Sequence, residues 1–282
     1  MDSSNIPDFD LDGHGPPLHF LHANGYPPDC YRPLLRLLAS RFHVFGMLLR
    51  PLWPESNMGD IQDWHPFSHD LIQFLSSCAP DPVIGVGHSI GGIVTLRAAL
   101  RDPKRFRAIV LIEPVLFAPP RLLAWALLRA IGLAHRVHPL IAGARKRRKT
   151  FDDLQTVFRS YRTRQIFRYM SDEALQTYIA GMTVPKQGGG YRLAYSPEWE
   201  AQVYLTGLRD LDLWRDLHIL EMPTLILRGA ESNTFFENAA RLVRRKNPMV
   251  RIETVEKATH LLPLERPQQV FTLIQTFLQE AL

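Results

Sequence analysis

The chain has 282 residues, 46% hydrophobic and 22% charged, which is ordinary globular composition with room for one large α/β domain and an insertion. No apolar run approaches the roughly 18–20 residues of a membrane span, and two cysteines, Cys30 and Cys78, in no metal-type spacing, argue against a disulfide framework and for a reducing cytoplasm. The net charge of +5 is unevenly placed: residues 119–215 carry 16 Lys and Arg against 8 Asp and Glu, which leaves the rest of the chain net negative.

The polar, acidic start, Met1 to Gly15, lacks both the basic beginning and the apolar stretch of a secretory signal. Leu18 to Ala23 is apolar and stops at Asn24-Gly25, a buried strand followed by a turn. Asp29 to Ser40 places Tyr31, Leu34, Leu35 and Leu38 at helical spacing, and His43 to Leu49 is a second strand-length run. Trp64 to Cys78 predicts a helix, Val83 to Val86 a third strand broken by Gly87, Ile90 to Leu100 a helix, and Arg107 to Ile112 a fourth strand. Strands alternating with helices predict a parallel sheet covered on both faces.

The alternation stops between about residues 115 and 215, where long apolar, basic and aromatic stretches read as several helices, with breaks at Pro119-Pro120 and Gly188-Gly189-Gly190. It resumes with a strand at Thr224 to Leu227, a helix at Phe235 to Arg245, a strand at Val250 to Val255 and a closing helix at Glu265 to Leu278 with Pro267 in its first turn.

Val86-Gly87-His88-Ser89-Ile90-Gly91-Gly92 fits G-x-S-x-G between a strand and a helix. Such a turn holds a serine hydroxyl clear of the sheet, and side chains at Gly87 and Gly91 would collide. The helix that follows points its amides at developing negative charge. The chain therefore resembles the α/β-hydrolase fold superfamily of esterases, lipases and haloalkane dehalogenases, over roughly residues 17–118 and 216–282. The resemblance implies a mostly parallel sheet flanked by helices, formed by 1–118 and 216–282, with 119–215 inserted as a helical cap.

It also implies a nucleophile, a base and an acid in chain order. Ser89 is the nucleophile. His260, after the last strand in Ala258-Thr259-His260-Leu261-Leu262-Pro263-Leu264-Glu265-Arg266-Pro267, is the base, and His88 is structural. The oxyanion hole is expected from the backbone N–H groups of Ile90 and of Tyr26, the latter in the turn His22-Ala23-Asn24-Gly25-Tyr26-Pro27. The acid departs from the family pattern. Its usual place after the resumed strand holds Ser232 and Asn233, with Glu231 one position early. Some members carry it one strand earlier, where Glu113 follows Ile109 to Ile112. Glu113 is preferred and Glu231 is the alternative.

These residues predict hydrolysis of a carboxylic ester, thioester or lactone through an acyl-enzyme, with no cofactor and no metal. The substrate is a small molecule, and aromatic residues of the cap such as Tyr161, Phe167, Tyr178 and Trp199 suggest an apolar acyl or aromatic group. Carbon–carbon bond hydrolysis on the same scaffold stays open, as does a non-catalytic ligand-binding receptor. Dehalogenation and epoxide opening are disfavoured because they use an aspartate nucleophile. The basic run Arg145 to Lys149 reads as a solvated face, with an acidic substrate, an anionic membrane surface or a nucleotide-bearing thioester as the sharper alternative, and the absence of a recognised module argues against nucleic acid as a partner.

Overall fold

The computed structural model describes residues 6–282, with residues 135, 137 and 139 followed by backbone only; Met1 to Asn5, the first part of the acidic start, lie outside the described residues. The chain opens with β1 (Asp8–Asp10), β2 (Pro17–Leu21), α1 (Arg32–Ala39), β3 (His43–Met47), α2 (His65–Cys78), β4 (Val83–His88), α3 (Ile90–Arg101) and β5 (Phe106–Ile112). An insertion follows, made of α4 (Pro119–Ala130), α5 (Ala134–Val137), α6 (Pro139–Arg145), β6 (Thr150–Phe151), α7 (Leu154–Arg162), α8 (Asp172–Gly181), β7 (Thr183–Pro185), β8 (Tyr191–Leu193), α9 (Pro197–Thr206) and α10 (Leu211–Asp216). Then come β9 (Thr224–Gly229), α11 (Glu237–Lys246), β10 (Arg251–Val255), α12 (Leu262–Glu265) and α13 (Pro267–Ala281).

The main sheet runs β1-β3-β2-β4-β5-β9-β10, and every pairing in it is parallel except β1 with β3. The chain steps from β2 out to β3, then crosses back to β4. The order therefore reverses between β2 and β4, and the carboxyl ends of those two strands bound the crevice where open α/β sheets place their chemistry.

Alternation along β5 shows how both faces are filled. Ile109 and Leu111 pack with Phe67, Leu71, Ile93 and Val94 of α2 and α3. Ala108, Val110 and Ile112 pack with Leu34 and Leu38 of α1 and Ile274 of α13. A strand buried on both sides must be apolar at every position, which is why it reads as an unbroken run. Truncating Ile112, with no exposed area, to alanine is expected to cost about 2–5 kcal/mol.

Three differences from the sequence expectations have local causes. The acidic start contains β1, a three-residue edge strand held by its partner: Phe9 pairs with Gly46, and its ring occupies the space a side chain there would need. The insertion holds a three-stranded antiparallel sheet, β6-β8-β7, as well as helices. The closing helix starts two residues late, because Arg266, at φ −136 before Pro267, breaks it from the short α12.

Candidate active site

The turn after β4 is strained. Ser89 sits at φ 59 and ψ −118, a region costing on the order of 1–3 kcal/mol for a residue with a side chain. It is pinned by its own N–H, which donates to the Ile112 carbonyl at 3.0 Å. A Cβ on Gly87 would lie 2.3 Å from the Gly91 carbonyl oxygen, and one on Gly91 would lie 2.2 Å from that of Leu21. The close approach of α3 to the ends of β4 and β2 therefore requires both glycines. Ser89 is buried, and its hydroxyl stands at the N-terminus of α3.

Three segments distant in sequence meet there. His260 Nε2 lies 3.0 Å from Ser89 Oγ, and His260 Nδ1 lies 3.4 Å from Glu113 Oε2. Between the latter two sits Thr234, whose hydroxyl donates to Glu113 Oε2 at 3.0 Å and lies 2.9 Å from His260 Nδ1. Since Nδ1 faces a carboxylate and a hydroxyl already donating to it, Nδ1 carries the hydrogen and Nε2 accepts from Ser89. Glu113 has no exposed area. Its carboxylate is satisfied by the Gly229 N–H and the Ser232 hydroxyl, both at 2.6 Å, besides Thr234, as a buried carboxylate requires.

Behind these groups, neutral hydrogen bonds tie the loops together. The Ala23 N–H donates to Tyr31 Oη at 3.1 Å, Tyr31 donates to His88 Nδ1 at 2.7 Å, and His88 Nε2 donates to the His260 carbonyl at 2.8 Å. Burial drives the His88 pKa well below the usual histidine value, so the ring is neutral and can accept at one nitrogen while donating at the other. His88 thus bridges Tyr31 and the loop of His260. On the far side of His260, Glu265 accepts from the Thr259 N–H and hydroxyl, both at 2.7 Å, which closes the loop that carries the imidazole.

Two sequence-predicted residues are placed otherwise. Glu231 is exposed on the side of β9 toward the insertion. Its carboxylate pairs with Arg168 and accepts from Tyr169 Oη at 2.5 Å, and these bonds hold its pKa below the ordinary value. No hydrogen bond joins it to His260 among the described residues. The Tyr26 N–H is spent within its own turn, donating to the Ala23 carbonyl at 3.2 Å with Gly25 at φ 77, so it is not a free donor. The N–H of Asn24, two positions earlier, has no protein acceptor among the described residues, and neither does that of Ile90. Asn24 and Thr234 were both missed. The Asn-Gly pair marks a turn without saying which amide it leaves free, and a threonine hydroxyl gives no motif.

The insertion reaches this turn directly. Tyr195 Oη donates to Asn24 Oδ1 at 2.8 Å, and Asn24 Nδ2 donates to the Glu200 carbonyl at 3.0 Å. Arg147, in the basic run expected to be solvated, is half-buried and pairs with the buried Glu200 at 2.5 Å. A cavity of about 600 Å³ opens between the insertion and Tyr26, with Phe151, Val157, Tyr161, Phe167 and Tyr178 in its walls. Ser89 and His260 do not line it; Tyr26 links the two places, its ring edge-on to His88 with centroids 6.5 Å apart.

A strained serine at a strand-to-helix turn, facing a histidine backed by a carboxylate, on a parallel sheet in this order, defines an α/β-hydrolase site. A family model for the alpha/beta hydrolase family matches residues 20–273, and the chain belongs to that family. It is 24% identical over 272 residues to a pimeloyl-acyl-carrier-protein methyl ester esterase of Aeromonas hydrophila, covering 94% of this chain and 96% of that protein. It is 30% identical over 115 residues to a type I acyl-CoA thioesterase of Penicillium roqueforti, a match covering 35% of this chain and only 26% of that protein. Among solved structures, an E-2-(acetamidomethylene)succinate hydrolase superposes with a TM-score of 0.75 at 22% identity, covering 96% of this chain and 94% of the other.

Proposed function

We propose that the chain hydrolyses a carboxylic ester or thioester through an acyl-enzyme on Ser89. The observation that carries this reading is the 3.0 Å contact of Ser89 Oγ with His260 Nε2 at the N-terminus of α3, with Glu113 behind the imidazole. Ser89 Oγ attacks the substrate carbonyl carbon while its proton passes to His260 Nε2. The carbonyl oxygen becomes an oxyanion and takes hydrogen bonds from the Ile90 and Asn24 N–H groups, aided by the α3 dipole. Glu113 stabilises the imidazolium, directly and through the Thr234 hydroxyl. The tetrahedral intermediate collapses, and the leaving alkoxide or thiolate takes the proton from His260. Water then gives its proton to His260 and attacks the acyl carbon, and Ser89 leaves with that proton restored.

Residues 119–215 act as a cap on the core formed by 1–118 and 216–282. The cavity beside Tyr26 holds the far, apolar part of the substrate, since its walls are mainly aromatic and aliphatic. The Aeromonas relative, matched over nearly its full length, is a methyl ester esterase, and the Penicillium relative is an acyl-CoA thioesterase. Both support acyl transfer to water.

A fluorophosphonate probe followed by peptide mapping tests the nucleophile, and a panel of p-nitrophenyl esters and acyl thioesters tests the bond. Labelling at Ser89, lost in Ser89→Ala, is expected. Folded protein that stays unlabelled, or labelling that persists in Ser89→Ala, refutes the assignment.

A further inference from the structure

The insertion carries an apolar surface for which the reaction has no use. α4 buries Leu122 and Trp125 toward the body. Its opposite face shows Leu123, Leu127 and, one turn on, Ile131 at 57%, 63% and 57% exposure, and Leu133 and Leu140 continue the exposed apolar set. A helix that buries one apolar face and exposes another calls for a second apolar medium. Leucines exposed as a contiguous stripe are also a different case from the scattered ones any surface carries.

The segment that carries this stripe is basic, although Arg147, Arg148 and Lys149 are paired with Glu200, Asp152 and Glu198. Residues 114–151 contain six arginines and two lysines and no aspartate or glutamate. Arg136, Arg145 and Lys146 are exposed and have no ion pair among the described residues. A second copy of the chain is a poor occupant, because an isologous contact would set these cations against themselves. A protein-free aqueous surface leaves the leucines uncovered. Both features are met by an interface with anionic headgroups above hydrocarbon.

We propose that this face of the cap docks on an anionic lipid surface. α4 lies in the interface with Leu123, Leu127 and Ile131 in the acyl boundary and the basic residues among the headgroups. Its 12 residues span about 18 Å, too short for a hydrocarbon core of about 30 Å, and no described helix is long and apolar enough to cross a membrane. Leu140 and Lys146 belong both to this surface and to the wall of the cavity that ends at Tyr26, so docking turns the cavity mouth toward the lipid.

Sedimentation of the full chain with vesicles of phosphatidylcholine, alone or mixed with phosphatidylglycerol, tests this. The protein is expected to partition at least about tenfold more strongly to the mixed vesicles, because each surface cation contributes severalfold. The combined change Leu123→Ser, Leu127→Ser and Ile131→Ser should lower that partition by about tenfold or more. Arg136→Gln with Arg145→Gln should remove most of the preference for the anionic lipid. Both variants keep the wild-type rate on a short water-soluble p-nitrophenyl ester, which shows that they fold. The proposal is overturned if the wild type ignores mixed vesicles, or if the triple serine variant partitions as well as wild type. It is equally overturned by a concentration-dependent dimer, seen in analytical ultracentrifugation, that the triple variant abolishes, because a second copy then owns the face.

Discussion

At the carboxyl edge of the sheet, the buried Ala23, Tyr31 and His88 and the backbone carbonyl of the half-buried His260 are joined by hydrogen bonds between uncharged groups. Where the insertion meets the core, the contacts are mixed and include ion pairs. Arg168 and Tyr169 hold Glu231 at an exposed position, Arg97 pairs with Asp210 at 2.6 Å and with Asp212, and Tyr195 and Glu200 grip Asn24. Neutral buried bonds are unaffected by salt, whereas exposed ion pairs are screened and contribute little each. The groups around Ser89 and His260 are therefore held mainly by neutral buried bonds, while the insertion is fastened by a mixture of the exposed Glu231 link, the buried Arg97–Asp210 ion pair and the neutral bonds to Asn24. Asn24 joins the two regions, a residue of the reacting turn whose side chain is held only from the insertion.

The largest expected effect lies wholly on the sheet-edge side. Ser89→Ala or His260→Ala should reduce kcat on short p-nitrophenyl esters by on the order of 10⁶ with unchanged circular dichroism; a loss below about a hundredfold would place the chemistry elsewhere. Next comes the pair of glutamates, one from each region. Glu113→Gln should cost on the order of 10⁴ in kcat, while Glu231→Gln, which breaks only the exposed link to Arg168 and Tyr169, should cost less than about tenfold. Reversal of that order removes Glu113 from its role.

Thr234→Val leaves the shape of the side chain but deprives Glu113 and His260 of the hydroxyl between them. With about 1–3 kcal/mol for an unmet buried polar group, kcat should fall roughly 10- to 100-fold. Thr234→Ser should recover most of it, and the pH–rate profile should move in the valine variant only. A flat response in all three measurements makes Thr234 a packing residue. Tyr195→Phe removes the cap's grip on the Asn24 carboxamide. The loss of one hydrogen bond predicts a drop of up to about tenfold in kcat with little change in KM, and a change confined to KM would show that the cap shapes binding alone.

The smallest effect on activity, yet a clear one on stability, concerns pH. Burial lowers the pKa of His19 to about 3, that of His22 to about 4 and that of His88 well below the ordinary value. Their contribution is complete above the unfolded value of 6.5 and is lost as the pH falls below it, because only the unfolded chain takes up these protons. Each histidine contributes about 1.4 kcal/mol per pH unit over that window. Asp210, raised by burial to about 6, has the opposite sign, since the folded state binds its proton first, and it offsets one histidine between about pH 6 and 4. The urea midpoint should therefore drop steadily from pH 7 to 5. A midpoint that holds or rises over that range contradicts the neutral hydrogen-bonded histidines.

The core was legible in the chain because its signals are local. Parallel strands buried on both faces must be continuous apolar runs, and Gly87 is demanded by a backbone clash with Gly91 within the same turn, while Gly91 is demanded by the end of β2. β1 and the small β6-β8-β7 sheet were not legible, since strands of two or three residues are defined by the partner they lie against. The basic run was only partly readable: Arg147 is withdrawn from water by Glu200, some fifty residues away.

Sequence alone determined that a serine stands on a strand-to-helix turn, that a histidine follows the last strand, and that the strand–helix rhythm is interrupted once. Each of these is written in contiguous residues, through periodicity or the steric needs of a tight bend. Only the tertiary structure brought Glu113 rather than Glu231 beside His260, placed Thr234 between them, and left the amide of Asn24 rather than that of Tyr26 open in the turn. Those outcomes depend on β5 lying beside β9 and on which N–H a turn consumes internally. Such facts arise from pairing between segments far apart in the chain, which no local pattern of residues encodes.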